Sequence, residues 1–125
     1  MNAIIYVGLP KIEQNYVRLG VAVKEPQDII DVACQVLKVK REDVLSKSRN
    51  REIVECRHIA MSIIRMNSGM ALIKIGAMFN RDHSTVLYGI DTFNELYEFD
   101  KDFKSKVDMI KFITNNLNNH EPNRN

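Results

Sequence analysis

From Pro26 onward the apolar residues of this chain recur three and four positions apart, stripe after stripe, with turn residues between. That spacing is the period of an α-helix buried along one face. Ile29, Ile30, Ala33, Val36 and Leu37 make the first stripe, and Pro26 suits the first turn of its helix, where the missing N–H costs nothing. Arg41 to Ser46 predicts a short second helix with Val44 and Leu45 turned inward. Lys47-Ser48-Arg49-Asn50-Arg51 is polar and basic and reads as a loop. Ile53, Cys56, Ala60, Ile63 and Ile64 make a third stripe, closed near Asn67-Ser68-Gly69. Met70 to Phe79 predicts a fourth helix, and Asn80-Arg81 a tight turn. Asp82 is a good N-cap for a fifth, which places Val86, Ile90, Phe93 and Tyr97 on one face. Asp100 or its neighbour opens a last helix carrying Phe103, Val107, Ile110, Phe112 and Ile113. The reading is all-α: a domain of about six helices over residues 26–117, an N-terminal extension over 1–25 and a polar tail over 118–125. Within the extension, Ala3-Ile4-Ile5-Tyr6-Val7 has the β-branched character of a short strand.

Length and composition narrow the classes. A chain of 125 residues fits one domain of ordinary size and not two. Hydrophobic residues at 45% and charged residues at 27% match a soluble globular protein. No apolar run approaches the roughly 20 residues of a membrane helix. The run from Ala3 to Leu9 lacks the basic flank and cleavage pattern of a signal peptide, so a cytoplasmic protein is expected. Cys34 and Cys56 belong to no CxxC pair and are expected as reduced, buried thiols rather than a disulfide or a metal site. The net charge of +2 hides an asymmetry: residues 38–81 carry +6 and the remainder −4. A basic middle between acidic flanks points to a polyanionic partner.

The segment from 71 to 90 sharpens that expectation. Two helices joined by a tight turn, the first ending Ile75-Gly76-Ala77-Met78-Phe79, form a helix-turn-helix pattern. In such a unit the start of the second helix faces the base edges in the major groove of DNA. Here that start holds Asp82, His83, Ser84 and Thr85, with Tyr88 one turn on. A carboxylate accepts from cytosine N4, a histidine donates to a purine acceptor, and a threonine methyl packs on the thymine methyl. A helix N-terminus also favours a nearby phosphate.

The run Ile75-Gly76-Ala77-Met78-Phe79-Asn80-Arg81-Asp82-His83-Ser84-Thr85-Val86-Leu87 resembles the signature of the DNA-binding C-terminal domain, domain IV, of the bacterial chromosomal replication initiator DnaA. The family pattern runs Ile-Gly, two residues, Phe, a short glycine-rich turn, then Arg-Asp-His-Ser/Thr-Thr-Val. Upstream, Asp43-Val44-Leu45-Ser46-Lys47 with Arg49 and Arg51 is similar to the family's basic loop, and Arg57-His58-Ile59-Ala60-Met61 to the start of its long central helix. The resemblance covers roughly residues 26–113. It implies a stand-alone relative of that domain, binding double-stranded DNA at sites like the initiator's and acting in the regulation of replication initiation. Carried over by position, it implies that Asp82, His83, Ser84, Thr85 and Tyr88 face the major groove and that Arg49 enters the minor groove. Lys47, Arg51, Arg57, Arg65, Lys74 and Arg81 would meet phosphates or, for Arg65, a base. Phosphate contacts position a protein on the duplex while base contacts specify the sequence.

The chain departs from the family in its turn, with Asn80 alone where two glycines are common. It also departs at Ser84 in place of Thr, at Tyr88 in place of His, and at Ser48 within the basic run. It contains no GxxxxGK[ST] phosphate loop, so the resemblance implies the DNA-reading part without the ATPase motor. Met1 and the extension favour a stand-alone protein over a fragment. No cofactor is expected.

Four other readings compete. Asp82, His83 and Ser84 are the residue types of a hydrolase triad, but consecutive residues on a helix point about 100° apart and do not align as nucleophile, base and orienter. Cys56 and His58 face apart on a helix and lack a complementary metal-binding pair. A protein-interaction module that lost DNA binding would use the N-terminal extension or the acidic stretch of Asp91, Glu95, Glu98, Asp100, Asp102 and Asp108. A transcription regulator or mobile-element replication factor would read a different site with the same fold.

Overall fold

The computed structural model describes residues 25–118; the expected strand at 3–7, the extension to residue 24 and the tail from 119 lie outside the described residues. Among the described residues there are six helices and no strand. They are α1 (Pro26–Leu37), α2 (Arg41–Val44), α3 (Arg51–Ser68), α4 (Leu72–Phe79), α5 (His83–Phe99) and α6 (Lys101–Asn118).

Each helix end has a local cause. Pro26 opens α1, and Glu25 and Asp28 exchange side-chain and backbone bonds as a capping box. Lys38 then turns left-handed at φ 59°, and the Val39 N–H reaches the Cys34 carbonyl at 3.1 Å. Asn50 caps α3 by accepting from the Glu52 N–H at 3.0 Å, which makes Arg51 the first helical residue rather than the end of the loop. Gly69, at φ 67°, ends α3 where a left-handed residue is needed. The extended backbone of Ala71 (ψ 146°) holds the start of α4 back to Leu72. At the other junction the Asp100 carboxylate accepts from the Phe103 N–H at 3.0 Å and caps α6.

The core forms around α3. From Ile59 to Ile64 every residue is buried, so this stretch is covered on all sides. It packs most extensively against α5 and α1, and α2 and α4 lean on it as well. α6 closes the far side against α1 and α5, burying Phe103, Val107, Ile110 and Ile113. Phe112, expected among them, is 40% exposed. It lies about 200° around the helix from Ile110, opposite the stripe of Phe103, Val107 and Ile110. The Tyr97 hydroxyl donates to Asp108 at 2.6 Å, tying α5 to α6. That bond is the main reason the Asp108 carboxyl sits below its usual range.

Cys34 and Cys56 are free and buried. Contact with Cys34, then burial, pushes the Cys56 thiol far above its ordinary value, so it stays neutral and inert. Among the described residues no helix is long and apolar enough to cross a membrane.

Candidate nucleic-acid interface

The turn between α4 and α5 is fixed by burial, backbone closure and a helix cap. Ile75, Phe79 and Val86 are buried core residues. Asn80 is left-handed at φ 59°, the Arg81 N–H bonds the Gly76 carbonyl at 2.8 Å, and the Asn80 N–H bonds that of Ala77 at 3.3 Å. This is a Schellman closure with asparagine at the left-handed position. One residue therefore completes the turn where two glycines are common in the family. The closure brings the Arg81 carbonyl onto Gly76, where any side-chain carbon would collide with it. Asp82 then caps α5, its Oδ1 accepting from the Thr85 N–H at 2.9 Å. Hydrogen bonds from Thr85 hold the Asp82 carboxyl below the usual carboxylate range.

His83 and Ser84 have no such duty. Both are exposed, and among the described residues no hydrogen bond holds either side chain. Thr85 is half-buried beside them, and Tyr88 is 66% exposed one turn further on. The exposed face of α5 runs on through Leu87 to Asp91, Glu95 and Glu98, so it starts polar and ends acidic.

The basic loop is held from beneath by Arg57. The resemblance assigned this residue to a phosphate, but it is only 4% exposed and its guanidinium points into the loop. Nε donates to the Val44 carbonyl at 2.8 Å, and Nη2 to those of Ser46 and Ser48, each at 3.1 Å. Burial, and next the charge of Arg81, lowers its pKa. Nε and Nη2 face backbone carbonyls, so the residue braces the loop from within while it also lines the cleft described next. Arg81, half-buried, donates from Nη2 to the same Ser46 carbonyl at 2.9 Å. Two arginines thus tie the loop to both α3 and the start of α5.

The result is a cleft of about 700 Å³, whose lining includes Lys47, Arg49, Arg51, Arg81, Thr85 and Tyr88. Lys47, Arg49 and Arg51 are exposed along its basic wall. The first turns of α3 and α5 both border it, adding the positive ends of two helix dipoles. Glu55 and Asp100 also line the cleft, but Glu55 pairs with Lys106 at 3.2 Å and Asp100 caps α6. Two assigned cations lie elsewhere. Lys74 is exposed on α4. Arg65 sits near the far end of α3, roughly 21 Å along the helix from Arg51. It is exposed, with Nη1 donating to the Met70 carbonyl at 2.6 Å.

The structure adds one residue that the sequence reading left without a role. His58 lines the cleft and meets Tyr88 edge-to-face, ring centroids 6.0 Å apart at 80°. Nothing local marks that pairing, because the two residues are thirty positions apart and on different helices. Gly89, beside Tyr88, was the available hint, since a glycine inside a helix often marks a close approach.

The family of the bacterial dnaA protein helix-turn-helix matches residues 26–92. Chromosomal replication initiator protein DnaA of Bacteroides fragilis (strain YCH46) is 34% identical over 92 residues, covering 73% of this chain and 19% of that protein. The same-named protein of a Synechococcus strain (JA-2-3B'a(2-13)) is 30% identical, covering 92% of this chain and 27% of its own length. That of Gloeobacter violaceus is 44% identical over 64 residues, covering 50% and 14%. The chain thus spans between about a seventh and a quarter of the length of these relatives. On the match from α1 into the first part of α5, and with the signature turn built as described, the chain belongs to the bacterial DnaA helix-turn-helix family.

Proposed function

We propose that this chain binds double-stranded DNA sequence-specifically, at sites like those of the replication initiator, without ATPase activity, and regulates replication initiation by occupying those sites or recruiting a partner to them. The observation that carries the reading is the pair His83 and Ser84. They stand exposed at the tip of a capped helix, beside a loop of exposed cations that Arg57 and Arg81 hold in place. Among the described residues no hydrogen bond holds either side chain and His83 acts on Asp82 through its charge, while hydrogen bonding to base edges would use both. Asp82, Thr85 and Tyr88 complete the major-groove set, and Arg49 enters the minor groove, where a narrow A·T-rich stretch concentrates negative potential. Lys47, Arg51, Lys74, Arg81 and Arg65 meet the backbone, and Arg57 supports the loop that presents them. The family match supports a role in the initiator's context.

Selection from a random duplex library, followed by salt titration on the selected site, tests this. Roughly 5 to 8 phosphate contacts give a log–log slope of about −4.5 to −7. An asymmetric consensus indicates a monomer reading one site, and a palindrome indicates a dimer. Absence of binding to any duplex at low salt would overturn the proposal and leave a protein-interaction module.

A further inference from the structure

Position 58 lies outside the DNA-facing set, yet it shapes it. His58 projects from α3, half-buried, onto the backbone of α5 at Gly89. A side-chain carbon at Gly89 would lie 2.8 Å from His58 Cδ2 and 3.3 Å from Cγ, closer than such atoms pack. The missing side chain is therefore a seat for the imidazole. From that seat the ring meets Tyr88 edge-to-face, and both rings border the cleft that holds Arg49 and Thr85. Burial first, and the neighbouring charge of Arg57 second, hold the imidazole below its ordinary pKa, so near neutral pH it is an uncharged ring. An uncharged, half-buried ring is a poor phosphate ligand and a good aromatic neighbour.

We propose that His58, seated on Gly89, is a specificity-determining positioning residue that fixes the Tyr88 ring at the mouth of the cleft and thereby sets the preference at the base pair Tyr88 faces. The inference rests on the DNA-binding reading above. Without its neighbour, Tyr88 rotates freely, and the ordering of an exposed ring is then deferred to the moment of binding.

The experiment compares binding preference, salt slope and the free-protein NMR spectrum for the wild type, His58→Ala, His58→Phe, Gly89→Ala, Tyr88→Ala and the double variant His58→Ala with Tyr88→Ala. His58→Ala and Tyr88→Ala should each reduce discrimination at the same base-pair position by about two- to tenfold, the range an aromatic pair is worth. The double variant should lose no more than Tyr88→Ala alone. Gly89→Ala displaces the imidazole without removing it and should reproduce the loss. His58→Phe keeps a ring in the seat and should retain the preference. The salt slope should stay unchanged in every variant at position 58, which a phosphate contact would not allow. In the free protein, His58→Ala should shift the Tyr88 ring resonances, and thermal melting identifies any variant that fails to fold. The inference is overturned if Tyr88→Ala changes preference and His58→Ala does not, if the two losses add, or if the Tyr88 resonances ignore His58. A wild type that selects a site whose preference His58→Ala and Gly89→Ala leave unchanged sinks this inference alone. A wild type that binds no duplex sinks the DNA-binding reading and this inference with it.

Discussion

Replacing Arg57 with methionine keeps most of the aliphatic stem and removes the donors beneath the basic loop. Three contacts at 2.8 to 3.1 Å disappear, to the carbonyls of Val44, Ser46 and Ser48. A hydrogen bond from a charged donor contributes about 1.5–3 kcal/mol, but carbonyls in a surface loop recover part of this from water. The expected loss of stability is therefore about 2–4 kcal/mol, read as a lower urea midpoint. DNA affinity should fall too, because Lys47 and Arg49 must then be ordered on binding. Re-ordering backbone costs about 1–2 kcal/mol per residue, so a loss of about 2 kcal/mol, or roughly thirtyfold, is expected for the loop. The salt slope decides between roles. A residue that supports the loop leaves the slope unchanged, whereas a lost phosphate contact reduces its magnitude by about 0.9. Arg57→Lys should rescue only partly, since one ammonium cannot reproduce the guanidinium fork. A slope reduced by about one, with an unchanged urea midpoint, would refute the reasoning and return Arg57 to the phosphate backbone.

Arg49→Ala should weaken binding by roughly 1–3 kcal/mol and relax preference at one end of the selected site, as measured by competition with single-base variants. Gly76→Ala forces a side-chain carbon against the Arg81 carbonyl and should cost about 1–3 kcal/mol of stability in thermal or urea unfolding. The Asp108 carboxyl, held low chiefly by the Tyr97 hydroxyl, contributes stability that is present above the ordinary carboxylate pKa of about 4 and lost as pH falls through its lower folded value. Tyr97→Phe should therefore lower the stability seen near neutral pH and flatten its decline in acid, as followed by urea unfolding across pH 2–7.

Much of this architecture was legible because burial follows spacing. Ile29, Ile30 and Ala33 announce α1, and Asp82 announces the start of α5 by the chemistry of its cap. Helix ends were less legible. Arg51 reads as loop by its charge, yet Asn50 caps the helix one residue earlier. Arg57 shows why charge alone misplaces a residue. It stands four positions after Ile53 and before Met61, on the apolar stripe itself, and that register was the available sign of burial. What no local pattern contains is the partner of a buried polar group. The carbonyls that receive Arg57 and Arg81 come from a loop 9 to 35 positions away. The seat of His58 on Gly89 is likewise a product of tertiary packing.

The change of sign along α5 has a geometric consequence. Asp91 lies nine residues beyond Asp82 on the exposed face, about 14 Å up the helix axis. Glu95 and Glu98 extend the same negative ridge. A phosphate track drawn to the first turn would be repelled before it could run parallel to the rest of the rod. On the proposed DNA-binding reading the helix would enter tip-first and stop, its rear half acting as a bumper that limits depth and leaves the acidic shaft in solvent.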